Sequence, residues 1–147
     1  MVLSQNKKAF AEYEILEKIE AGIVLNGPEV KSARAGQINL KGSFVEISPK
    51  LEAFTRNIHI SPYKMAPQAG YEPTRKRKLL LSKKEILQLK THLDTKGFTI
   101  VPLDFHLNNN HIKVLIGVCR GKKQYDRRNE LKKKAQNLEI NRTLKRY

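Results

Sequence analysis

The sequence predicts a mainly β domain with a few helices, closed into a small antiparallel barrel, with a disordered basic tail behind it. Five or six short segments have the alternation or the β-branched content of strands, and one capped helical segment lies between two strand hairpins. The last 28 residues, Arg120 to Tyr147, contain 11 basic and 3 acidic residues and carry +8 of the net charge of +15. We therefore place the barrel in residues 1–121 and the tail in residues 122–147, within a chain of single-domain length.

The first half of the predicted barrel contains three strands and a short helix. Residues 13–25 mix β-branched and charged side chains in the manner of a long strand. Pro28 follows in a turn sequence and suits the first turn of a short helix that Gly36 ends. Residues 43–47 and 52–60 then have the composition of two strands around a turn.

The second half begins with a loop and the clearest helix of the chain. Three prolines and a glycine interrupt residues 61–74, which predicts a loop. Ser82 and Glu85 form the capping-box pattern of a helix N-terminus, and apolar residues recur behind it at intervals of three and four. Gly97 stands where a left-handed C-terminal cap is expected.

A strand hairpin completes the predicted barrel. Residues 99–107 and 111–119 alternate apolar and polar side chains, and the asparagines between them tolerate the positive φ of a tight turn. Pro102 indicates either an edge position or a bulge, because proline cannot donate to a strand ladder. This order of strands and helix is typical of small closed barrels, of which the oligonucleotide-binding (OB-like) barrel is one.

The charge of the chain predicts a polyanionic partner. It has 29 Lys and Arg against 14 Asp and Glu, and a pI near 10.0. Nucleic acid is the commonest partner for such a field, while an anionic membrane and simple solvation are the alternatives. No apolar run reaches the ~18 residues needed to cross a membrane. The single cysteine fits a reducing compartment, so we expect a cytoplasmic protein with no membrane partner.

Support for catalysis is weak. The four histidines are scattered without the spacing of metal ligands, and no glycine-rich phosphate loop lies between a strand and a helix. Cys119 ends an apolar strand, which is typical of a core position. We therefore expect a binding protein that is not an enzyme and uses no metal or cofactor.

Six motifs together resemble the SsrA-binding protein (small protein B) family of bacteria. They are NKKA, EAGIVLNGPEVKSARAG, NIHISPY, PTRKRKLLLSKKEI, GFTIVPL and GVCRGKKQYDRR, and they extend over nearly the whole chain. The resemblance implies an oligonucleotide-binding barrel that binds the tRNA-like domain of transfer-messenger RNA (tmRNA). It also implies delivery of that RNA to stalled ribosomes for trans-translation, with elongation factor Tu and alanyl-tmRNA as indirect partners.

The resemblance further implies which residues of the barrel contact RNA. The family positions carry over to Asn6 with Lys7 and Lys8, to Glu20 and to Leu80. A carboxylate suits this role because it accepts hydrogen bonds from base amines or a 2′-OH. Without the resemblance, Glu20 fits an exposed strand carboxylate and Leu80 fits the core. Three consecutive leucines before a helix cannot all face one core, however, so one of them is expected at the surface.

The basic run before the leucines is a more general signal. Its side chains are expected to contact phosphates, which position RNA without reading its sequence. The run consists of Arg75, Lys76, Arg77 and Lys78.

The tail combines strong positive charge with little apolar surface. Alone it is expected to be disordered, and opposite ribosomal RNA its repulsion is neutralised and a helix can form. The resemblance implies that the tail enters the empty mRNA channel and contacts small-subunit rRNA, where an aromatic ring can stack on a base. The tail residues concerned are Lys122, Lys123, Tyr125, Asp126, Arg127 and Arg128.

Two other functions remain open from the residues alone. A generic single-strand RNA-binding barrel would need clustered exposed aromatic residues, of which the strands offer few. An RNA-processing enzyme would have to rely on isolated acids and lysines.

Overall fold

The structure of the protein is a computed structural model that describes residues 1–65 and 69–121. Within these residues the chain forms nine strands and three helices. In chain order they are β1 (Val2–Gln5), α1 (Lys7–Glu12), β2 (Glu14–Ile23), α2 (Gly27–Arg34), β3 (Ile38–Asn39), β4 (Phe44–Ile47), β5 (Ala53–Arg56), β6 (His59–Ile60), β7 (Arg77–Leu80), α3 (Lys83–Leu93), β8 (Phe98–Asn108) and β9 (His111–Arg120). The tail predicted for residues 122–147 lies outside the described residues.

Seven of the strands form one antiparallel sheet in the order β1-β8-β9-β2-β7-β5-β4, and β3 pairs with β6 in a small second sheet. The mainly β character with a few helices is confirmed. The prediction of a closed barrel is wrong, because the sheet is open with β1 at one edge and β4 at the other. Strand β1 was not predicted, and its pairing with β8, through Val2↔His106 and Gln5↔Asp104, occupies the side of β8 that a closing strand would need.

The hairpin of β8 and β9 forms as the sequence predicts. Asn109 (φ 50°) and Asn110 (φ 63°) both take left-handed conformations, which gives the turn the twist that a two-residue hairpin requires. The register shifts between Pro102 and Asp104, and β8 lies between two other strands. Of the two alternatives for Pro102, the bulge is therefore the one observed.

The helices begin where their capping residues predict. Ser82 and Glu85 complete a reciprocal capping box at α3, and Asn26 and Glu29 complete another at α2. Helix α3 ends at Leu93 with Asp94 as its cap, so Gly97 does not cap it. Gly97 has a φ of +92° and instead lies in the turn that leads into β8.

Four elements escaped the sequence analysis, and one predicted strand is interrupted. Strands β1 and β3 and helix α1 are too short to show a period, and β7 begins in the basic run that was assigned to phosphate contacts. The strand predicted over residues 52–60 breaks at Asn57, whose φ of 64° ends β5 and starts a turn to β6.

The sheet buries side chains on both faces. The larger cluster includes Ile58, Leu79, Phe105 and Val114, all at most 1% exposed. Helix α1 covers a smaller cluster on the other face of β8 and β9, which contains the buried residues Ala9, Val101, Leu103 and Cys119. Cys119 is fully buried, which confirms its expected core position, and burial raises the pKa of its thiol to about 11. In the described ranges, no helix has the length and apolar character to span a membrane.

Candidate nucleic-acid interface

The basic run consists of an inner and an outer pair of side chains. Arg77 and Lys78 begin β7, and successive side chains of a strand point to opposite faces. Burial alternates in the same way at residues 75 and 76, which precede the strand. Arg77 is fully buried, whereas Lys76 and Lys78 are exposed. The four expected phosphate contacts are therefore not equivalent.

The inner arginines surround one buried carboxylate. Glu29 is 1% exposed, and its Oε2 accepts hydrogen bonds from Arg77 Nε at 2.6 Å and from Arg75 Nε at 3.1 Å. Arg77 also donates to the carbonyl oxygens of Ile58 and Pro73, each at 2.8 Å. The hydroxyl of Tyr71 donates to Glu29 at 3.2 Å. The network ties α2 to β7 and to the chain between β6 and β7.

The arginines keep this buried carboxylate ionised. Burial by itself raises the pKa of Glu29, but hydrogen bonds from Arg75, the Asn26 backbone and Arg77 outweigh it and lower the pKa. Burial and the Glu29 charge together raise the pKa of the Tyr71 hydroxyl, so it remains a neutral donor. In this conformation Arg77 cannot reach a phosphate. The Arg75 side chain is 34% exposed, but its guanidinium is hydrogen-bonded to Glu29. Of the run, Lys76 and Lys78 remain available.

Glu20 and Leu80, which lie 60 positions apart in the sequence, share one face of the sheet. Gly22 pairs directly with Leu80 on β7 and with Lys113 on β9, and Glu20 lies two residues before Gly22 on the same side of β2. Lys78 lies two residues before Leu80. We call this surface the Glu20 face; it consists of Glu20, Gly22, Lys78, Leu80 and Lys113.

Leu80 is the apolar centre of the Glu20 face. It is 57% exposed, whereas the preceding Leu79 is 1% exposed, which confirms that one leucine of the run reaches the surface. A Cβ atom at Gly22 would lie 3.2 Å from the Leu80 Cβ and 3.3 Å from its Cδ1. The absence of a side chain at Gly22 therefore lets Leu80 lie close against β2.

Glu20 is held by hydrogen bonds although 42% of its side chain is exposed. Its Oε2 lies 2.9 Å from His106 Nε2, and its Oε1 accepts from Asn108 Nδ2 at 3.1 Å. These bonds from His106 and Asn108 lower the pKa of Glu20, and the nearby charge of Lys113 acts in the same direction. Glu20 is thus an ionised carboxylate with a fixed orientation and accessible oxygens.

Besides Lys113, positive charge comes from Lys78 on the Glu20 face and from Lys76 beside it, since Lys76 lies over the ring of Phe54, the β5 partner of Lys78. Lys78 Nζ lies 3.8 Å from Glu52 Oε2, and its side chain is 49% exposed. Lys76 Nζ lies 4.0 Å from the centre of the Phe54 ring, and that side chain is 45% exposed. Both can exchange these surface contacts for phosphate, since exposed ion pairs contribute little free energy.

Asn6 has a different environment from Glu20 and Leu80. It is 5% exposed and caps α1 by accepting from Ala9 N at 3.1 Å. Its Nδ2 donates to the carbonyl oxygens of Leu40 at 3.2 Å and Pro102 at 3.0 Å. The amide is thus fully used inside the protein, while Lys7 and Lys8, which begin α1, are exposed.

The sequence analysis missed four residues around Glu20, namely Asp104, His106, Asn108 and Lys113. Polar residues alternating with apolar ones in β8 did predict a shared face for positions 104 and 106. Their proximity to Glu20 depends on the register of β2 with β9 and of β9 with β8, which local patterns do not specify. Among the described residues, no cluster of three His, Cys, Asp or Glu side chains could hold a metal ion.

The six tail residues that the sequence analysis associated with the ribosome lie outside the described residues, so the structure places none of them.

The chain is similar to proteins of the SmpB family. The SmpB protein family matches residues 3–146. An SsrA-binding protein of Enterococcus hirae is 48% identical over 146 residues, which cover 99% of this chain and 94% of that protein. SsrA-binding proteins of Sulfurihydrogenibium sp. and Aquifex aeolicus are 52% and 51% identical over 144 residues, covering 98% and 97% of this chain and 94% and 91% of those proteins.

A solved structure is also similar. It is described as "tmRNA-SmpB: a journey to the center of the bacterial ribosome", and its matching chain is 46% identical with a TM-score of 0.68. The match covers 81% of this chain and 83% of that chain.

Proposed function

The chain belongs to the SmpB family, and on this premise we propose that it binds tmRNA (SsrA) and delivers it to stalled ribosomes. There it supports trans-translation, in which the ribosome is rescued and the nascent chain is tagged for degradation. The observation that carries this proposal is the family match over residues 3–146, which includes both the sheet and the basic tail. The similar solved chain, described with tmRNA and the bacterial ribosome, supports the same two partners.

We assign tmRNA contact to the Glu20 face. Leu80 offers an exposed apolar surface against which a base can pack, and Glu20 offers fixed oxygens that accept from base amines or 2′-OH groups. Lys76 and Lys78 contact phosphates and hold the RNA in register. The combination suits a folded RNA loop better than a plain single strand, because only part of the surface is basic.

We assign a supporting role to the start of α1. Asn6 fixes the first turn of the helix, and the exposed Lys7 and Lys8 that follow it attract the phosphate backbone. Asn6 therefore contributes to RNA binding through the geometry of this turn. Substituting Asn6 should lower stability together with affinity, unlike substitutions on the Glu20 face.

We assign the ribosomal step to the tail. It occupies the empty message channel, where Lys122, Lys123, Arg127 and Arg128 face rRNA and Tyr125 stacks on a base of the small subunit. Elongation factor Tu and alanyl-tmRNA are indirect partners in this scheme. The protein acts in the cytoplasm as a binding factor and not as an enzyme.

Truncation after Gly121 tests the division between sheet and tail. It removes 10 basic and 3 acidic residues, so isolated tmRNA should still bind with a modest loss of electrostatic attraction. Tagging on stalled ribosomes should be almost abolished. A truncated protein that tags at the rate of the full chain would contradict the role of the tail, and one that no longer binds isolated tmRNA would contradict the role of the Glu20 face.

The RNA that co-purifies with the full chain tests the broader proposal. One discrete RNA with a tRNA-like end supports an adaptor, whereas a broad smear would indicate a generic single-strand binder. Cleaved RNA products would indicate an enzyme.

A further inference from the structure

Behind Glu20, a histidine lies between two carboxylates. His106 Nδ1 is 2.7 Å from Asp104 Oδ1, and His106 Nε2 is 2.9 Å from Glu20 Oε2. The His106 side chain is 17% exposed and that of Asp104 is 13% exposed, whereas Glu20 reaches the surface. The largely buried Asp104 carboxylate thus contacts the His106 imidazole, which in turn contacts Glu20 on the Glu20 face.

The two contacts together require a proton on each ring nitrogen of His106. An ionised carboxylate only accepts hydrogen bonds, and a neutral imidazole carries one N–H and one unprotonated nitrogen. With neutral His106, one of the two short contacts would bring two lone pairs together. The geometry is therefore satisfied when His106 is an imidazolium that donates to Asp104 and Glu20 at once.

We propose that His106, supported by Asp104, is a positioning residue that orients Glu20 for RNA and makes RNA affinity depend on its own protonation. This inference rests on the proposed RNA-binding role of the Glu20 face. Asn108 holds Oε1 of Glu20 while His106 holds Oε2, so both oxygens are fixed with lone pairs left for RNA donors. Fixing the side chain in advance removes an ordering cost from binding.

The charges around the ring determine the direction of the pH effect. Asp104 lies on the same strand, Glu20 on β2 and Lys113 on β9, where it pairs in register with His106. On β1 the partner of His106 is the uncharged Val2, next to the chain's terminal amine. Loss of the imidazolium proton would leave two carboxylates against one lysine at a surface that receives phosphates. RNA binding should therefore weaken as His106 is deprotonated.

The pH window lies above the ordinary histidine range. Burial opposes the charged ring, but hydrogen bonds to Asp104 and Glu20 outweigh burial and raise the pKa of His106 above 6.5. A raised pKa means that the favourable protonated state is present below the ordinary histidine pKa and is lost as pH rises through the raised pKa. The affinity should accordingly be highest near pH 6 and decline toward pH 9.

The test is the affinity of the full chain for a transcribed tRNA-like domain of tmRNA, measured from pH 6 to pH 9 at constant ionic strength. Fixing one side chain corresponds to a roughly three- to tenfold difference in Kd, so the affinity should fall by about that factor across the range. His106→Gln should bind roughly three- to tenfold more weakly at pH 6 and show little further decline. His92→Gln is the matched control, because His92 contacts Glu17 on the opposite face of β2. The control should keep the wild-type profile.

A second variant separates positioning from folding. Asp104→Asn removes the carboxylate that favours the charged ring, so the decline in affinity should move to lower pH while affinity at pH 6 is nearly retained. Nitrogen NMR of His106 should find both ring nitrogens protonated at pH 6. A neutral ring at that pH, or a His106→Gln protein with the wild-type affinity and pH profile, would overturn the inference. If the wild-type chain did not bind this RNA at any pH, the proposed function itself would fail instead.

Discussion

Removing the Glu29 carboxylate should destabilise the protein severely, although Glu29 is not part of the Glu20 face. In Glu29→Ala the fully buried Arg77 guanidinium keeps its bonds to two carbonyl oxygens and to Tyr71, but it loses its counter-charge. Breaking a buried ion pair on one side costs about 3–5 kcal/mol. Because a whole domain is stable by only about 5–15 kcal/mol, this is a large fraction of the total.

Thermal unfolding followed by circular dichroism measures this loss. For a folded body of this size, the cost corresponds to a fall of roughly 10–25 °C in Tm. Glu46→Ala is the matched control, because Glu46 pairs with Arg56 and Lys76 where its side chain is 39% exposed. It should lower Tm by no more than a few degrees, since exposed pairs contribute about 0–1 kcal/mol.

A double substitution separates the cost of the unpaired Arg77 charge from the cost of removing the Glu29 side chain itself. Arg77→Met in the Glu29→Ala background removes the buried guanidinium, so part of the lost Tm should return. The reasoning is refuted if Glu29→Ala unfolds within a few degrees of the wild type, or if adding Arg77→Met lowers Tm by the full amount expected of an independent site.

Three further predictions concern pH, salt and the shape of the Glu20 face. The pKa of Glu29 is lowered from 4.5 in the folded protein, so the ionised carboxylate stabilises the fold above pH 4.5. This stabilisation is lost as pH falls through the lowered pKa of the folded state, and the acid unfolding of Glu29→Gln should therefore lack this part of the pH dependence. The logarithm of tmRNA affinity should fall with the logarithm of salt concentration with a slope of about −3 to −5 for roughly 5 phosphate contacts, and Lys78→Ala should make the slope shallower by less than about one. A salt-independent affinity would exclude phosphate contacts. Gly22→Ala should displace Leu80 by a few tenths of an ångström, and calorimetric titration should show weaker RNA binding than wild type but stronger binding than Leu80→Ala.

Local patterns were sufficient for the elements whose signals lie close together in the sequence. Ser82 and Glu85 marked the start of α3, and the alternation around the Asn109 turn predicted β8 and β9. The three leucines before α3 predicted that one of them would be exposed, which Leu80 is. In each case the physical cause is contained within a few residues.

The missed features depend on residues far apart in the chain. Arg77 was expected to contact phosphate because its carboxylate partner, Glu29, lies 48 positions earlier in a different predicted element, the short helix α2. A closed sheet was wrongly predicted because the four residues of β1 carry no local signal that they pair with β8, about 100 positions later, and form an edge of the sheet. The register that brings His106 to Glu20 is likewise set by the whole sheet.

The central claim is that the Glu20 face reads tmRNA, and paired affinity measurements on matched variants test it most directly. Glu20→Ala and Leu80→Ala are compared with Glu17→Ala, on the opposite face of β2, and with Leu87→Ala, whose side chain is 45% exposed on α3. The first two should weaken binding of the tRNA-like domain by about 5- to 150-fold, the range for losing one base contact, with Tm nearly unchanged. The two controls should bind within about twofold of the wild type under the same conditions. Equal losses in all four variants, or losses at Glu20 and Leu80 that only follow a lowered Tm, would contradict the assignment of this face.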